Sequence, residues 1–325
     1  MKRRISSILA ATTALALLSA CSGADAGDGG GSDGDFTPRG DISMLVPFAA
    51  GGGSDLAGRA LAGALEAANG DLNVNVENRD GGSGAVGYSY FLGQNGNAEN
   101  LLATETALLA LPITEDVEFT YKDFTPIMKV ADDFTLMVAR ADSPYNSCTD
   151  VVDAAKSGRV IAGISGATGL DNVVLTLTED ETGAEFDRVS FESGGELTAA
   201  LLGKQIEIAS LNPGEVVGQL ESGDIKALCA FSDERYDYPE LADIETAKEQ
   251  GIDVALAQFR GVIAPGGLSD SERDYWVKQM EAVLETDEYD KYIKDNFLQP
   301  NTAAGEDFTA YLEKNNQVLE EVIGQ

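Results

Sequence analysis

Short apolar segments typical of β-strands alternate along this chain with amphipathic helical segments, and glycine-rich turns join several of them. Residues 42–46 are a predicted strand, and residues 55–68 a helix with Ala57, Leu61 and Ala64 on one face. Strands separated by helices predict an α/β fold with mostly parallel sheets. Further strands are predicted at 72–77, 101–104, 136–139, 160–164, 189–191, 206–210, 227–231 and 262–264, and helices at 170–181, 197–202, 269–284, 287–296 and 306–323.

The first twenty residues have the pattern of an export signal. Lys2, Arg3 and Arg4 precede an apolar stretch, residues 5–18, that is shorter than the ~20 residues of a membrane span. The stretch ends in L-S-A-C, which resembles the lipobox of bacterial lipoproteins. We expect cleavage after Ala20, lipid on Cys21 and a flexible Gly/Ser/Asp-rich tether over residues 21–40. The alternative is an ordinary secretory peptide with an incidental cysteine.

The formal net charge of −33 excludes a nucleic-acid partner and disfavours adhesion to anionic lipid. The absence of histidine excludes Ser-His and Cys-His catalysis and nearly all zinc sites. The sequence also shows no pair of an acid and a base that would suggest an enzyme. Two cysteines remain beyond Cys21. Cys148 and Cys229 either form a disulfide, as the oxidising surroundings of an exported protein allow, or are two separate buried thiols.

The turn at residues 46–55 (V-P-F-A-A-G-G-G-S-D) leads from the first strand into the first helix. Its glycines allow a close backbone approach to a ligand, and Ser54 is a predicted N-cap. The N–H groups and dipole of a helix N-terminus attract an anion, the dipole alone by about 0.3–1 kcal/mol. A nucleotide site is excluded, because the run has neither the P-loop lysine nor the Gly-x-Gly-x-x-Gly spacing.

Two later turns have the same arrangement of strand, small polar residues and helix. They are 163–170 (G-I-S-G-A-T-G-L), with the hydroxyl groups of Ser165 and Thr168, and 191–196 (F-E-S-G-G-E). Taken alone, each turn favours a structural helix cap over a binding site. Because ligands of parallel sheets bind where such turns meet, three of them in one chain favour a shared cleft that accepts an anion.

The order of the turns at 46–55 and 163–169 and of five further segments resembles the tripartite tricarboxylate transporter substrate-binding proteins, the Bug or TctC family. The further segments are 77–84 (E-N-R-D-G-G-S-G), 124–127 (F-T-P-I), 200–207 (A-L-L-G-K-Q-I-E), 223–228 (G-D-I-K-A-L) and 260–267 (R-G-V-I-A-P-G-G). The resemblance covers residues 42–325 and is specific in its order and spacing.

The resemblance implies a periplasmic-binding-protein fold of type II, with two α/β lobes around a central cleft. Residues 41–138 and 260–325 are expected in lobe one and 139–259 in lobe two, with crossings near 136–139 and 258–261. It also implies a receptor, not an enzyme, that passes a small organic carboxylate to membrane permease subunits. The alternative is a ligand sensor for a signalling partner. We expect a monomer without cofactor or metal, lipid-anchored at the cell surface or the periplasmic face of the membrane.

Carried over by position, the resemblance also implies the ligand contacts. Asp55 is expected to brace its loop rather than to touch an anion. The implied residues are Phe48, Gly52, Gly53, Ser54, Asp55, Thr104 and Thr106 in lobe one, and Ser165, Thr168, Gly169, Ser193 and Gly194 in lobe two.

Some positions depart from the family pattern. Asp171 stands near the place of a usual histidine, Asp80 replaces a usual proline, and Phe259 stands where tryptophan is common. An additional acid near the cleft disfavours a second carboxylate on the ligand. Arg79 and Arg260 are candidate counter-charges.

Overall fold

The computed structural model describes residues 36–165, 169–191 and 193–324. The predicted export signal, Cys21, most of the tether and Thr168 lie outside these residues. The strands are β1 Ile42–Val46, β2 Val74–Asn78, β3 Asn100–Thr104, β4 Phe124–Asp133, β5 Leu136–Arg140, β6 Ile161–Ile164, β7 Asp187–Ser190, β8 Ile208–Leu211, β9 Ile225–Ala230, β10 Gln258–Pro265 and β11 Ala303–Ala304. The helices are α1 Gly53–Ala68, α2 Ala85–Leu92, α3 Ala107–Thr114, α4 Cys148–Ser157, α5 Leu170–Thr182, α6 Gly194–Leu202, α7 Pro213–Ser222, α8 Asp270–Val283, α9 Asp287–Asp295 and α10 Gly305–Ile323.

The strands form two sheets, and we name the lobes by them. Lobe one contains the six-stranded sheet β11-β4-β10-β3-β1-β2, and lobe two contains the five-stranded sheet β7-β6-β8-β5-β9. The predicted α/β fold with two lobes is confirmed, but both sheets are mixed rather than mostly parallel. β1 pairs parallel with β2 and β3, and β6 with β7 and β8, whereas β10 and β5 pair antiparallel with their neighbours.

Two strands that run against the parallel ones, β5 and β10, lie next to the crossings between the lobes, and the short edge strand β11 also pairs antiparallel with β4. β5 enters lobe two and β10 re-enters lobe one from the cleft, the side at which the carboxyl ends of the parallel strands lie. Each therefore runs against those strands. The sheets also correct the expected boundaries, because residues 136–138 belong to β5 in lobe two and residues 258–259 to β10 in lobe one. The extended pairing of β4, β5 and β10 moves the first crossing to residues 134–135 and the second to the segment between 230 and 258.

Each sheet carries an apolar cluster on both faces. In lobe one, α1, α8 and α9 contribute to the cluster around Leu61 and Trp276, and α3 and α10 to the cluster around Leu108 and Phe308. Val173 of α5 in lobe two belongs to the latter cluster, so the lobes share an apolar contact. In lobe two, Cys148 at the start of α4 forms a disulfide with Cys229 of β9.

The helices of the described residues (36–165, 169–191 and 193–324) include none with both the length and the apolar character that a membrane span requires.

Candidate functional site

A small cavity lies between the lobes at the N-termini of α1 and α7. Both lobes contribute to its wall, so a group held there would contact both. The lining residues are Gly53, Leu56, Asp133, Arg260, Tyr292, Asn296 and Leu298 of lobe one, and Asn212, Gly214 and Glu215 of lobe two.

Helix α1 begins at this cavity without a side-chain cap. Its N-cap is Gly52, which has an extended backbone (φ −86°, ψ 172°), and no side chain accepts a capping hydrogen bond there. Ser54 lies inside the first turn instead, so its prediction as the N-cap was wrong. Because the first N–H groups of an α-helix have no intrahelical partner, the backbone of this turn is a set of donors for an anion.

Asp55 braces the loop that leads into α1. Its carboxylate accepts hydrogen bonds from the Gly51 N–H (2.9 Å), Arg59 Nε (2.9 Å) and Asn78 Nδ2 (2.8 Å). Burial opposes ionisation, but these hydrogen bonds outweigh it and lower the pKa of Asp55 below its ordinary value. Asn78 also donates to the Phe48 carbonyl at 3.0 Å. These hydrogen bonds therefore tie the loop to α1 and to the end of β2.

Phe48 and the two threonines expected at the ligand make their contacts within lobe one. The Phe48 side chain is half-buried and packs against both apolar clusters of that lobe. The Thr104 hydroxyl hydrogen-bonds the Tyr88 hydroxyl at 3.0 Å, and Thr106 Oγ1 accepts from the Phe259 N–H at 3.4 Å. Both threonines are buried, and they support the end of β3.

Arg260 is the basic residue of the cavity wall, and its guanidinium is already engaged by two carboxylates. Nε and Nη2 bind Asp133 Oδ2 at 3.0 and 2.6 Å, while Nη1 lies 3.4 Å from Glu105 Oε2 and donates to Ser54 Oγ at 3.2 Å. Only 4 % of Arg260 is exposed. Burial alone would lower the pKa of Arg260, but the charges of Asp133 and Glu105 outweigh it and raise that pKa.

Asp133 also links the two lobes. Its Oδ1 accepts a hydrogen bond from Asn212 Nδ2 at 2.7 Å, and Asn212 is the N-cap of α7 in lobe two. A chain of contacts thus runs from Ser54 on the α1 loop through Arg260 and Asp133 to Asn212.

The turn before α5, expected to receive a ligand, is engaged by an acid of its own helix. The Ser165 N–H donates to Asp171 Oδ2, and the Asn172 N–H donates to Oδ1 at 2.9 Å. Gly169 leaves no room for a Cβ, because the Asp171 carboxylate packs directly on this glycine. Burial raises the pKa of Asp171 to about 6, against the opposing hydrogen bonds from Ser165.

The turn before α6 is covered by an acid from another helix. Ser193 is the N-cap of α6 and accepts from the Glu196 N–H at 3.3 Å. A Cβ built on Gly194 would lie 2.5 Å from Glu215 Oε1, so the Glu215 carboxylate packs on the first residue of α6. Burial, followed by the charge of Asp133, raises the pKa of Glu215 to about 7.

The other candidate counter-charge, Arg79, is engaged at the edge of lobe one. Its Nη2 lies 2.7 Å from Glu77 Oε1, and its guanidinium stacks on the Tyr90 ring at 3.5 Å. It does not line the cavity.

Sequence reasoning did not single out Glu105, Asp133, Asn212 or Glu215 as site residues. For Asn212 and Glu215 a signal was available, because N-P-G-E is a typical helix start with an N-cap, a proline at N1 and an acid at N3. Glu105 and Asp133 carry no local signal, since only the paired strands bring them to Arg260. No described residues form a group of three or more His, Cys, Asp or Glu arranged to hold a metal ion.

A model of the tripartite tricarboxylate transporter family receptor matches residues 59–324. Among related sequences, protein BugT of Bordetella pertussis is 26% identical over 240 residues, which cover 72% of this chain and 73% of BugT.

Two solved structures resemble the fold. A TctC solute-binding protein from Polaromonas is 26% identical, with a TM-score of 0.71, covering 89% of this chain and 99% of that one. A protein of R. palustris solved with adipate is 21% identical, with a TM-score of 0.80, covering 88% of this chain and 98% of that one. The second likeness concerns the fold alone.

Proposed function

The chain belongs to the tripartite tricarboxylate transporter receptor family, a periplasmic family of solute-binding receptors rather than enzymes, and we propose that it captures a small organic carboxylate and delivers it to membrane permease subunits. The observation that carries this proposal is the open N-terminus of α1. Its first-turn N–H groups have no side-chain cap, and Gly53 lines the cavity between the lobes. A carboxylate at that position would gain hydrogen bonds and the favourable end of the helix dipole.

The proposed carboxylate contacts are the backbone groups of Gly52, Gly53 and Ser54, with Phe48 beside them. Asp55, Thr104 and Thr106 would act indirectly, because their side chains hold the loop and the end of β3. Closure of lobe two would bury the ligand, so every polar group of the ligand would require a partner. In lobe two the proposed contacts are Ser165, Thr168, Gly169, Ser193 and Gly194.

The R. palustris neighbour solved with adipate supports carboxylate as the ligand class. The family description supports a tripartite transporter as the receiving partner.

The proposal also includes a lipid anchor at the N-terminus of the mature chain. Lipid on Cys21 would anchor the receptor to the membrane, and the tether would leave the cleft free to meet the permease. Globomycin-sensitive processing that disappears in Cys21→Ser would support the anchor. Processing to a mature chain that starts at another residue would refute it.

Ligand binding can be tested on residues 22–325 purified after export behind an ordinary cleavable secretory signal. Mass spectrometry of the released small molecules should identify a carboxylic acid, and the same compound should raise the melting temperature of ligand-free protein. A screen of mono-, di- and tricarboxylates and amino acids that gives no stabilisation would contradict the proposal. Binding combined with unchanged uptake in cells that lack the receptor would favour sensing over transport.

A further inference from the structure

Strand β9 lies at one edge of the sheet of lobe two, and the outer side of its first half is unpaired. Along an antiparallel strand, the backbone groups of successive residues point alternately toward the neighbouring strand and away from it. The Asp224 carbonyl accepts the N–H of Ala141, directly after β5, at 3.0 Å, so Ile225 and Ala227 direct their N–H and C=O groups outward. Within the described part of the chain, no other element hydrogen-bonds these outward groups.

The second half of the same edge is already covered by a later segment of the chain. The Ala230 N–H donates to the Glu245 carbonyl at 2.9 Å, and the Ala230 carbonyl accepts the Ala247 N–H at 2.8 Å. Gln250 Nε2 donates to the Leu228 carbonyl at 2.8 Å. This edge therefore already accepts a short extended segment of the chain itself, and that segment leaves the first half of β9 open.

A groove of about 390 Å³ lies beside the open part of the edge. It is bounded by the C-terminal end of α7 and by residues 240–244, and Leu220 and Ile244 supply partly buried apolar walls. An extended segment that paired with Ile225 and Ala227 would place every second side chain against these walls. The groove thus has both the backbone donors and acceptors and the apolar surface that an added strand requires.

Edge strands that have to stay unpaired are commonly protected by a lysine or by a bulge. Lys226 lines the groove, but its Nζ donates to the Ser143 carbonyl at 2.9 Å and to Asn146 Oδ1 at 3.0 Å, which holds it at the loop before α4. The register shift between β5 and β9 lies after Ala227 and so beyond the open part of the edge. The outward groups are therefore accessible for pairing.

The acids around the groove indicate which kind of chain fits it. Glu240 is an exposed lining residue, and the exposed Glu221 and Asp224 lie where α7 leads into β9. Within the described residues, none of the three takes part in an ion pair. A second copy of this chain would bring the same acids and a net charge of −33 against them, so like charges oppose self-pairing. Lysine or arginine on an added strand would compensate them.

From the open edge, the groove and these charges we propose that lobe two binds an extended, basic segment of a partner protein, which adds to its sheet as a strand beside residues 225–227. The groove shares no lining residue with the cavity between the lobes. The proposal therefore goes beyond the proposed function: it gives the receptor a protein-docking surface that is separate from its ligand site.

The first test measures peptide binding to residues 22–325, purified as for the ligand test, by fluorescence anisotropy. The probes are a labelled heptapeptide of alternating Lys and Val, its Glu/Val counterpart, and the Lys/Val peptide with every backbone nitrogen methylated. Methylation keeps the charge and removes the backbone donors. We expect the Lys/Val peptide to bind about tenfold or more tightly than either of the other two, because only it has both the charge and the donors.

Two variants test the place of binding. Ala227→Pro removes an outward N–H without removing a bond to β5, and Glu240→Lys reverses the charge of the groove wall. Each should weaken binding of the Lys/Val peptide about fivefold or more. Glu285→Lys is the matched control for Glu240→Lys, because Glu285 is exposed in lobe one and the net charge changes equally; it should keep the affinity. If thermal unfolding shows that Ala227→Pro is not folded, Glu240→Lys decides.

Amide hydrogen exchange, resolved by residue, tests the backbone pairing directly. The Lys/Val peptide should slow exchange at Ile225 and Ala227, whose N–H groups point outward in the free protein. It should leave Ala230 unchanged, because that N–H is already bonded to the Glu245 carbonyl.

The contrary results are equally specific. Equal affinity for the methylated peptide, or equal weakening by Glu240→Lys and Glu285→Lys, would indicate general attraction to an acidic surface and overturn the proposal. No binding of the Lys/Val peptide, or no protection of β9, would overturn it as well. Dimerisation that Ala227→Pro abolishes would assign the edge to a second copy instead. Carboxylate binding is measured separately on the same protein, so none of these results affects the proposed function.

Discussion

Arg260 and Asp133 form a buried ion pair at the two places where the chain crosses between the lobes. Asp133 ends β4, just before the first crossing, and Arg260 is the third residue of β10, just after the second. The pair is 2.6 Å long, and both residues are at most 4 % exposed. Asp133 also accepts a hydrogen bond from Asn212, so its carboxylate connects both crossings with the start of α7.

Replacing Asp133 by Ala should destabilise the protein strongly, because it leaves the Arg260 charge buried with only Glu105 at 3.4 Å. Breaking such a pair typically costs about 3–5 kcal/mol. Urea unfolding followed by circular dichroism measures the change. Asp142→Ala is a suitable control, because that acid is exposed and its ion pairs should contribute little. Equal stabilities of the two variants would show that the buried ion pair does not stabilise the fold more than an exposed one does.

Gly53→Ala should weaken binding of the carboxylate ligand, because its Cβ would lie 2.8 Å from Arg260 Nη2 and displace the guanidinium or the loop. Gly63→Ala makes the same change within α1, where a Cβ meets nothing within 4 Å. It should preserve affinity and raise stability by about 0.5–1 kcal/mol, as expected for Gly→Ala inside a helix. Calorimetry and thermal unfolding of both variants test this. Similar ligand affinities of Gly53→Ala and Gly63→Ala would show that the N-terminus of α1 is not part of the binding site.

The stability of the ligand-free protein should fall as the pH rises from about 4.5 to about 7, in part because of Glu215. Its folded-state pKa, about 7, lies above the ordinary value of 4.5, so the folded protein retains a proton that the unfolded chain releases. Burial is the main cause of this raised pKa; the charges of Asp133 and Asp171 raise the pKa further, and the charge of Arg260 lowers it. Glu215→Gln should therefore flatten the pH dependence and stabilise the protein more at pH 8 than at pH 5.

Denaturant unfolding at several pH values, with Glu221→Gln as the control, measures this effect. A pH profile of Glu215→Gln parallel to that of the wild type would contradict the assignment.

Removing the disulfide through Cys148→Ala and Cys229→Ala should lower stability by up to about 4 kcal/mol, because the bridge closes a long loop with a sequence separation of 81 residues. Both cysteines lie in lobe two and neither lines the cavity, so ligand binding should persist. Thiol titration of unreduced, denatured Cys21→Ser protein provides the direct check, because that protein contains only Cys148 and Cys229. Two reactive thiols in Cys21→Ser protein would show that the bridge is absent.

Elements with clear local patterns were predicted closely, and the missed ones have physical reasons. The predicted strand at 42–46 is β1. The helix predicted at 55–68 is α1, which begins two residues earlier, at Gly53. Helix α3 was missed because A-L-L-A-L-P-I-T is apolar on every side and lacks a helical period. Strand β4 was missed because Lys129, Asp132 and Asp133 are polar. All three are nevertheless buried: Lys129 pairs with Asp132 and donates to the Asn301 carbonyl, and Asp133 pairs with Arg260 of β10.

The sequence by itself determined the α/β class, the glycine-rich loop before α1 and the family, because these depend on local periodicity, turn chemistry and the order of short motifs. Only the tertiary structure decided which charges meet. Glu215 reaches Gly194 and Asp133 reaches Arg260 because helices and strands far apart in the chain converge on one cleft. Whether a turn presents free donors or is already covered by an acid depends on such long-range neighbours.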